Sequence, residues 1–97
     1  MITRIFTVNI KPELRAEFEA GFRTTSVDAV VNQKGFVSAE LGFPTRWAPD
    51  TYAMISKWED EASLIAFVGE DWNAAVIPAP MEQFVIACDV VHFSSPS

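Results

Sequence analysis

The chain has 97 residues, of which 49% are hydrophobic and 21% charged, and its formal net charge is −6. A chain of this length makes one domain, residues 1–97, and this apolar content is sufficient for a packed core, which excludes a disordered chain. The acidic balance has the wrong sign for phosphate backbones and anionic lipid surfaces. We therefore expect neither nucleic acid nor a membrane as a partner.

Cysteine and histidine are too scarce for most metal chemistry. Cys88 is the only cysteine and His92 the only histidine. An internal disulfide is therefore impossible, and a zinc or iron site would lack its usual ligands, so we expect no metal site. No apolar run has the length of a membrane span, and Met1 leads directly into a strand-like segment without a basic leader. These features predict a cytoplasmic protein.

The first predicted element is a strand over residues 2–10. Its alternation places two sets of side chains on opposite faces: Ile2, Arg4, Phe6, Val8 and Ile10 on one, and Thr3, Ile5, Thr7 and Asn9 on the other. Pro12 suits a first helical position, and apolar residues then recur at steps of three and four. This spacing predicts a helix over residues 12–32, which Gly35 can end.

Two further strands are predicted over residues 36–43 and 51–58. Pro44 bounds the first of these strands, and residues 45–50 contain Pro49 and Asp50, which are typical of a surface loop. The two strands are therefore expected to form a hairpin.

A second helix and a last strand complete the pattern. Asp60 is placed to cap the helix, and Gly69 is placed to end it. The last strand is predicted over residues 83–93, and residues 94–97 form a loose tail. The order strand, helix, strand, strand, helix, strand predicts an α+β fold: a ferredoxin-like βαββαβ antiparallel sheet with both helices on one face.

A sheet of this kind normally shows a polar second face to water. The last predicted strand is instead apolar on both sides, with Phe84, Ile86, Cys88 and Val90 on one and Val85, Ala87, Val91 and Phe93 on the other. Two helices cannot cover both faces, and an apolar patch above roughly a few hundred Å² is rarely left in water. We therefore expect a homodimer in which a second sheet packs against this face.

The segment SKWEDEASLIAFVGEDW, the order of elements and the two-sided sheet resemble the antibiotic biosynthesis monooxygenase family of dimeric α/β barrels. The resemblance spans nearly the whole chain. Its most specific part is a strand that ends at Trp58, followed by acidic residues, a short helix and an aromatic residue at Trp72. The family includes oxygenases that oxidise polycyclic aromatic or quinol-like compounds without metal or flavin, haem-degrading enzymes, and small proteins of unassigned activity.

The resemblance implies a pocket between sheet and helices. In the family a polar residue of the first strand, often Asn, and a Trp of the third strand line it, and Asn9 and Trp58 match those positions. Their N–H groups would stabilise the anion of a small aromatic or quinol-like substrate while it reduces dioxygen. His92 and Asp89 are candidates for a base. The haem-degrading branch also needs a His on the second helical segment, where this sequence reads WNAAVIPAP and has none.

Four further aromatic residues are candidates for substrate-binding walls: Phe22, Tyr52, Phe67 and Trp72. Phe67 and Trp72 have the spacing of an ordinary helix face, which favours core packing over a place in the pocket wall. Tyr52 flanks the hairpin loop, where it could gate a cleft, contact a partner subunit or cover the sheet edge.

Each residue in the predicted site also has a structural interpretation. Trp58 fits a core aromatic, Asn9 a cap of the following turn, and His92 a strand residue tipped toward solvent. Two functions from different classes therefore follow. The first is a cofactor-independent monooxygenase. The second is a non-catalytic or regulatory dimer that binds a small apolar ligand or has its pocket filled by side chains, and haem degradation is disfavoured because the ligand is missing.

Overall fold

Four antiparallel strands form one sheet in a computed structural model that describes residues 1–96 of the chain. The strands are β1 (Ile2–Ile10), β2 (Phe36–Gly42), β3 (Thr51–Trp58) and β4 (Val85–Ser94), and their order across the sheet is β2-β3-β1-β4. β1 is therefore a central strand and its neighbour β4 is an edge strand, as a ferredoxin-like sheet requires. The fold class and the hairpin of β2 with β3 are confirmed.

One continuous helical segment follows β1. It begins with a tight turn at Pro12–Leu14, continues as α1 (Arg15–Gly21) and α2 (Val27–Val31), and contains a wide π-type turn at Phe22–Ser26 between the two. The predicted helix over residues 12–32 is thus present to within one residue. The wide turn was not predicted, because the spacing of apolar residues does not distinguish it from regular helix.

The second helix, α3 (Glu61–Val68), begins and ends at the predicted residues. Asp60 caps it: a carboxylate oxygen of Asp60 accepts the backbone N–H of Ser63 at 2.8 Å, and this bond lowers the pKa of the Asp60 carboxyl. Gly69 ends the helix with a φ of 96°, which glycine adopts without strain.

The last strand differs from its predicted bounds at both ends. A 3-10 turn at Ala79–Phe84 precedes it, so β4 begins at Val85 rather than at residue 83. At its other end, Ser94 belongs to β4, and the backbone N–H of Ser95 donates to the carbonyl of Met1 at 2.9 Å. The loose tail predicted for residues 94–97 is therefore partly tied to the sheet, and Ser97 lies outside the described residues.

Both helical segments cover one side of the sheet, here called the inner face. In β1 and β3 the even-numbered residues point to it, because successive side chains of a strand alternate. The apolar core forms between this face and the helices. Its buried members are Val8, Ile10, Phe18, Phe22, Val30, Tyr52, Met54, Trp58, Leu64, Met81 and Phe84.

The opposite side, here called the outer face, is also apolar along its middle. The register places Ile5 of β1 between Ile55 of β3 and Val91 of β4. Val91 is 47% exposed and Phe93 is 55% exposed. The outer face therefore shows water an apolar band, as the alternation of β4 predicted.

Among residues 1–96, no helix has both the length and the apolar composition that a membrane crossing requires.

Candidate functional site

A narrow cavity lies between the inner face and the helical segments. The centre of a water-sized molecule can occupy about 50 Å³ of this cavity. The cleft to which it belongs has a volume of about 650 Å³ when the space open to solvent is included. Its walls are mainly aromatic and aliphatic, and residues 76–78, which follow α3, lie among its lining. The principal apolar side chains are Phe6, Val8, Phe18, Phe22, Met54, Phe67 and Met81.

The wide helical turn supplies two of the lining residues. Phe22 and Ser26 stand at its two ends, and both line the cavity. π-type turns are often found at functional sites, because they reposition side chains relative to a regular helix. Here the turn brings one aromatic and one hydroxyl group to the same wall.

Three polar side chains interrupt the apolar lining: Arg4, Ser26 and Ser56. Arg4 and Ser56 are direct neighbours across the β1–β3 pair, and both are buried, at 4% and 3% exposed. On its other side, Arg4 pairs in register with His92 of β4. The centre of the inner face therefore has a polar row within an apolar cavity.

Arg4 binds only neutral acceptors. Its Nη1 donates to the carbonyl oxygen of Trp72 and to Nε2 of His92, both at 2.8 Å, and its Nη2 donates to the carbonyl oxygen of Ala74 at 2.9 Å. Within residues 1–96 the only ion pair joins Arg15 to Asp50, so no carboxylate balances Arg4. Burial lowers the pKa of Arg4, yet a guanidinium stays charged at neutral pH.

The contact with Arg4 fixes the protonation of His92. A guanidinium can only donate, so Nε2 of His92 must accept and the ring proton lies on Nδ1. Nδ1 is buried and has no hydrogen-bond partner within residues 1–96. Burial, and secondarily the charge of Arg4, lowers the pKa of His92. His92 is therefore a neutral imidazole at neutral pH, and the lone pair of its Nε2 is already engaged.

Trp58 lies behind the cavity wall. Its side chain is fully buried, its Nε1–H donates to the hydroxyl of Ser56 at 3.0 Å, and its ring stacks on Phe67 with centroids 5.1 Å apart. The indole N–H thus points to a protein partner. Trp58 contacts the site through Ser56 and Phe67, both of which line the cavity.

The other predicted aromatic residues fall into two groups. Phe22 and Phe67 line the cavity. The rings of Trp72 and His92 pack in a T-shaped arrangement with centroids 4.6 Å apart, and the backbone carbonyl of Trp72 accepts a hydrogen bond from Arg4. Trp72 therefore helps to position the polar side chains of Arg4 and His92.

Tyr52 is buried behind the wall and does not gate the cleft. It is 1% exposed and packs on Phe18 and Phe22 at 4.6 and 5.7 Å between ring centroids. Its hydroxyl donates to a carboxylate oxygen of Glu19 at 2.5 Å. Burial, followed by this bond to Glu19, raises the pKa of Tyr52 to about 12.

Asn9 is not brought to the cavity. It is exposed, belongs to the odd-numbered set of β1 on the outer face, and its Oδ1 accepts the hydroxyl of Thr51 at 2.7 Å. The pairing of Asn9 with Trp58 in one pocket is therefore corrected: strand alternation separates them. Asp89, the alternative base, is also exposed and lies opposite Thr7 of β1, on the same outer face.

Sequence reasoning missed the polar residues that do line the cavity. The signal for Arg4 was present, because it shares its parity with Phe6 and Val8 in the alternation of β1. A charged side chain among the inward-facing residues of β1 must either be buried with hydrogen-bond partners or interrupt the apolar face of the strand. Ser56 gave no comparable signal, since a serine within a strand is equally common on either face.

Metal-ligating side chains do not gather in the described part of the chain. Within residues 1–96, no group of three or more His, Cys, Asp or Glu side chains lies close enough to hold an ion. Cys88, a free thiol of intermediate burial, pairs in register with Val8.

The sequence profile of the antibiotic biosynthesis monooxygenase family matches residues 1–76. Because the match covers most of the chain, the chain belongs to this family. The comparison with curated protein sequences found no match.

Solved structures share the fold. A protein described as an antibiotic biosynthesis monooxygenase superimposes with a TM-score of 0.75 at 19% identity, over 100% of both chains. SnoaB, a cofactor-independent oxygenase from Streptomyces nogalater, gives 0.72 at 18% identity, over 99% of this chain and 93% of its own. MhuD, a haem degrader from Mycobacterium tuberculosis with two haems bound, gives 0.71 at 18%, over 98% and 95%. Identities this low establish the fold alone.

Haem does not fit this site. The only histidine, His92, lies on β4, and its Nε2 already accepts an N–H of Arg4. The lone pair that would ligate iron is therefore occupied. A cavity that offers only about 50 Å³ to the centres of water-sized molecules is also far too small for a porphyrin.

Proposed function

We propose that this chain is a cofactor-independent monooxygenase that oxidises a small aromatic or quinol-like substrate with dioxygen in the cavity of the inner face. The observation that supports this proposal is an apolar cavity whose few polar groups, Arg4, Ser26 and Ser56, converge on it from three elements. Small-molecule sites typically combine apolar walls with a small number of placed polar groups. Membership of the family favours this chemistry over other small-ligand functions.

The reaction needs no electron donor beyond the substrate. A phenol of suitable electron density reacts with dioxygen to give a quinone and water: one oxygen atom enters the ring, the other leaves as water, and the substrate supplies all the electrons. The first electron passes readily to dioxygen only from the deprotonated phenol. The protein therefore has to bind the ring, favour its anion and keep water away.

The side chains of the cavity suit those tasks. The aromatic wall around Phe22 and Phe67 takes an aromatic ring, and Arg4 offers positive charge in a low-dielectric setting. Ser56 accepts the indole N–H of Trp58, which leaves its own hydroxyl proton free to donate to a bound oxygen. His92 is not a base here, because its Nε2 is engaged; it positions Arg4.

The narrowness of the cavity favours the second candidate function, a non-catalytic dimer that binds a small apolar ligand. Phe18, Phe22 and Phe67 leave only about 50 Å³ for the centres of water-sized molecules, as expected of a site that has lost its chemistry. Incubation with ¹⁸O₂ and a panel of hydroquinones and naphthols distinguishes the two. One labelled atom in the quinone product, above a protein-free control, supports the monooxygenase. Binding of panel members without any label in the product supports the binding dimer.

We further propose that a second copy of the chain covers the outer face. The apolar band of Ile5, Ile55 and Val91, with Phe93 beside it, supports this arrangement, since apolar surface of this kind is stabilised when a second sheet removes it from water. Two sheets packed in this way would leave the cavity of each copy on the far side of its own sheet.

A further inference from the structure

We propose that the cavity selectively binds a single-ring aromatic anion, above all a phenolate, and that Arg4 is the residue that recognises its negative charge. This inference rests on the proposed function for the identity of the reaction, but its argument concerns binding alone.

The first step is the unbalanced charge of Arg4. A buried cation is costly unless it is paired, and buried ion pairs normally supply the partner from the same protein. Arg4 is 4% exposed and is held by two backbone carbonyls and a neutral imidazole. None of these brings a negative charge. A ligand that does so would complete the site.

The second step is the donor inventory of the guanidinium. Both N–H groups of Nη1 and one of Nη2 are used by Trp72, His92 and Ala74. The N–H on Nε and the remaining one on Nη2 have no protein partner within residues 1–96, and Arg4 lines the cavity. Charge-assisted hydrogen bonds to a phenolate or carboxylate oxygen are about twice as strong as neutral ones.

The third step is size. A space of about 50 Å³ for water-sized centres holds roughly three to five water molecules, or roughly 100–150 Å³ of liquid. That is the volume of one aromatic ring with a small substituent. A fused two-ring or three-ring compound exceeds it. The cavity therefore distinguishes this chain from a site built for polycyclic substrates.

The fourth step is rigidity. Arg4 lies within β1, which pairs with β3 on one side and β4 on the other, and its guanidinium is fixed by three hydrogen bonds. A donor set fixed before binding loses little entropy when the ligand arrives. The neighbouring Ser56 hydroxyl adds a second donor beside the same oxygen.

The test uses 4-nitrophenol, whose phenolate absorbs visible light, with 4-nitroanisole as the neutral analogue and 4-nitro-1-naphthol as the two-ring analogue. We expect the intact protein to bind 4-nitrophenol as the phenolate, to lower its pKa relative to free solution, and to bind both analogues at least tenfold more weakly. Arg4→Gln should weaken phenolate binding at least tenfold and abolish the lowered pKa. Arg15→Gln, which removes a half-exposed arginine, should change neither.

Equal affinity for 4-nitrophenol and 4-nitroanisole in the intact protein would overturn the selection of an anion, even if Arg4→Gln failed to fold. Tight binding of 4-nitro-1-naphthol would overturn the size limit. A folded Arg4→Gln variant that still lowers the pKa of bound 4-nitrophenol would overturn the role of Arg4. Oxygen is not consumed in these titrations, so a failed monooxygenase assay leaves their outcome unaffected, and failure here leaves that assay standing.

Discussion

The indole N–H of Trp58 donates to the hydroxyl of Ser56 at 3.0 Å, within the side of β3 that faces the helices. The tryptophan therefore does not donate to the cavity itself. It orients a serine whose hydroxyl lines the cavity beside Arg4. A residue predicted to contact a substrate thus acts one step behind the wall.

Replacement of Trp58 by Phe should lower the free energy of unfolding by about 1–3 kcal/mol. The change removes a buried hydrogen bond and leaves a small void in a packed core. Urea denaturation followed by circular dichroism measures the loss. Trp47→Phe provides the matched control, because Trp47 is 83% exposed, and should change stability by less than about 0.5 kcal/mol. Equal effects of the two replacements would refute the buried hydrogen bond.

Tyr52 should ionise late in the folded protein. Burial and the bond to Glu19 raise its pKa to about 12, whereas the phenol of the unfolded chain titrates near its ordinary value of 10. The stability that this group provides is complete below pH 10 and is lost as the pH rises toward 12. Tyr52 is the only tyrosine, so tyrosinate absorbance reports it alone. A native midpoint at 10 would contradict the buried contact, and Tyr52→Phe should flatten the decline of stability in this range.

His92 should titrate below its ordinary value of 6.5 in the folded protein, because burial and then the charge of Arg4 lower its pKa. The unfolded chain takes up this proton first. Stability is therefore complete above pH 6.5 and falls as the pH drops from 6.5 toward the native value. Proton NMR of the lone imidazole measures the midpoint directly.

Arg4→Gln serves as the partner variant for that titration. It removes the smaller of the two causes, so the midpoint of His92 should rise but stay below 6.5 because the burial remains. An intact protein whose His92 titrates above 6.5 would show that the imidazole is paired with an anion rather than with Arg4.

Phe93→Lys should convert a dimer into a monomer at micromolar concentration, since it places a charge at the edge of the proposed sheet-to-sheet contact. Val31→Lys adds the same charge at the end of α2, away from the outer face, where 40% of the valine is exposed, and should stay dimeric. Sedimentation velocity separates the two species. A monomeric parent protein would contradict the proposal that a second copy covers this face.

Much of the fold follows from local patterns. The alternation of β1 predicts which face each of its side chains occupies, and Asp60 and Gly69 predict the two ends of α3. The structure contains all three features. The wide turn at Phe22–Ser26 could not be predicted, because the spacing of apolar residues does not distinguish it from regular helix. The first residue of β4 is Val85 rather than residue 83 because the 3-10 turn at Ala79–Phe84 precedes it.

The candidate site was harder to predict, because it depends on which face a side chain occupies. The alternation already assigned Asn9 to the face opposite Val8, but the resemblance to a family with a polar first-strand residue favoured placing it in the pocket. The inward polar residue of β1 is instead Arg4. Its role was hidden because the acceptors that make its burial possible, in Trp72, Ala74 and His92, are distant in sequence.

Oxygen uptake by the metal-free protein tests the proposed activity most directly, with single-ring hydroquinones as substrates and two variants beside the parent. Ala29 lines the cavity, so Ala29→Leu should fill it and abolish uptake, whereas Ala20→Leu, an exposed helical position, should leave uptake unchanged. Uptake by the parent and by Ala20→Leu, lost in Ala29→Leu, is the predicted result. Uptake that persists undiminished in Ala29→Leu, or that no hydroquinone produces in the parent, would contradict a monooxygenase acting in this cavity.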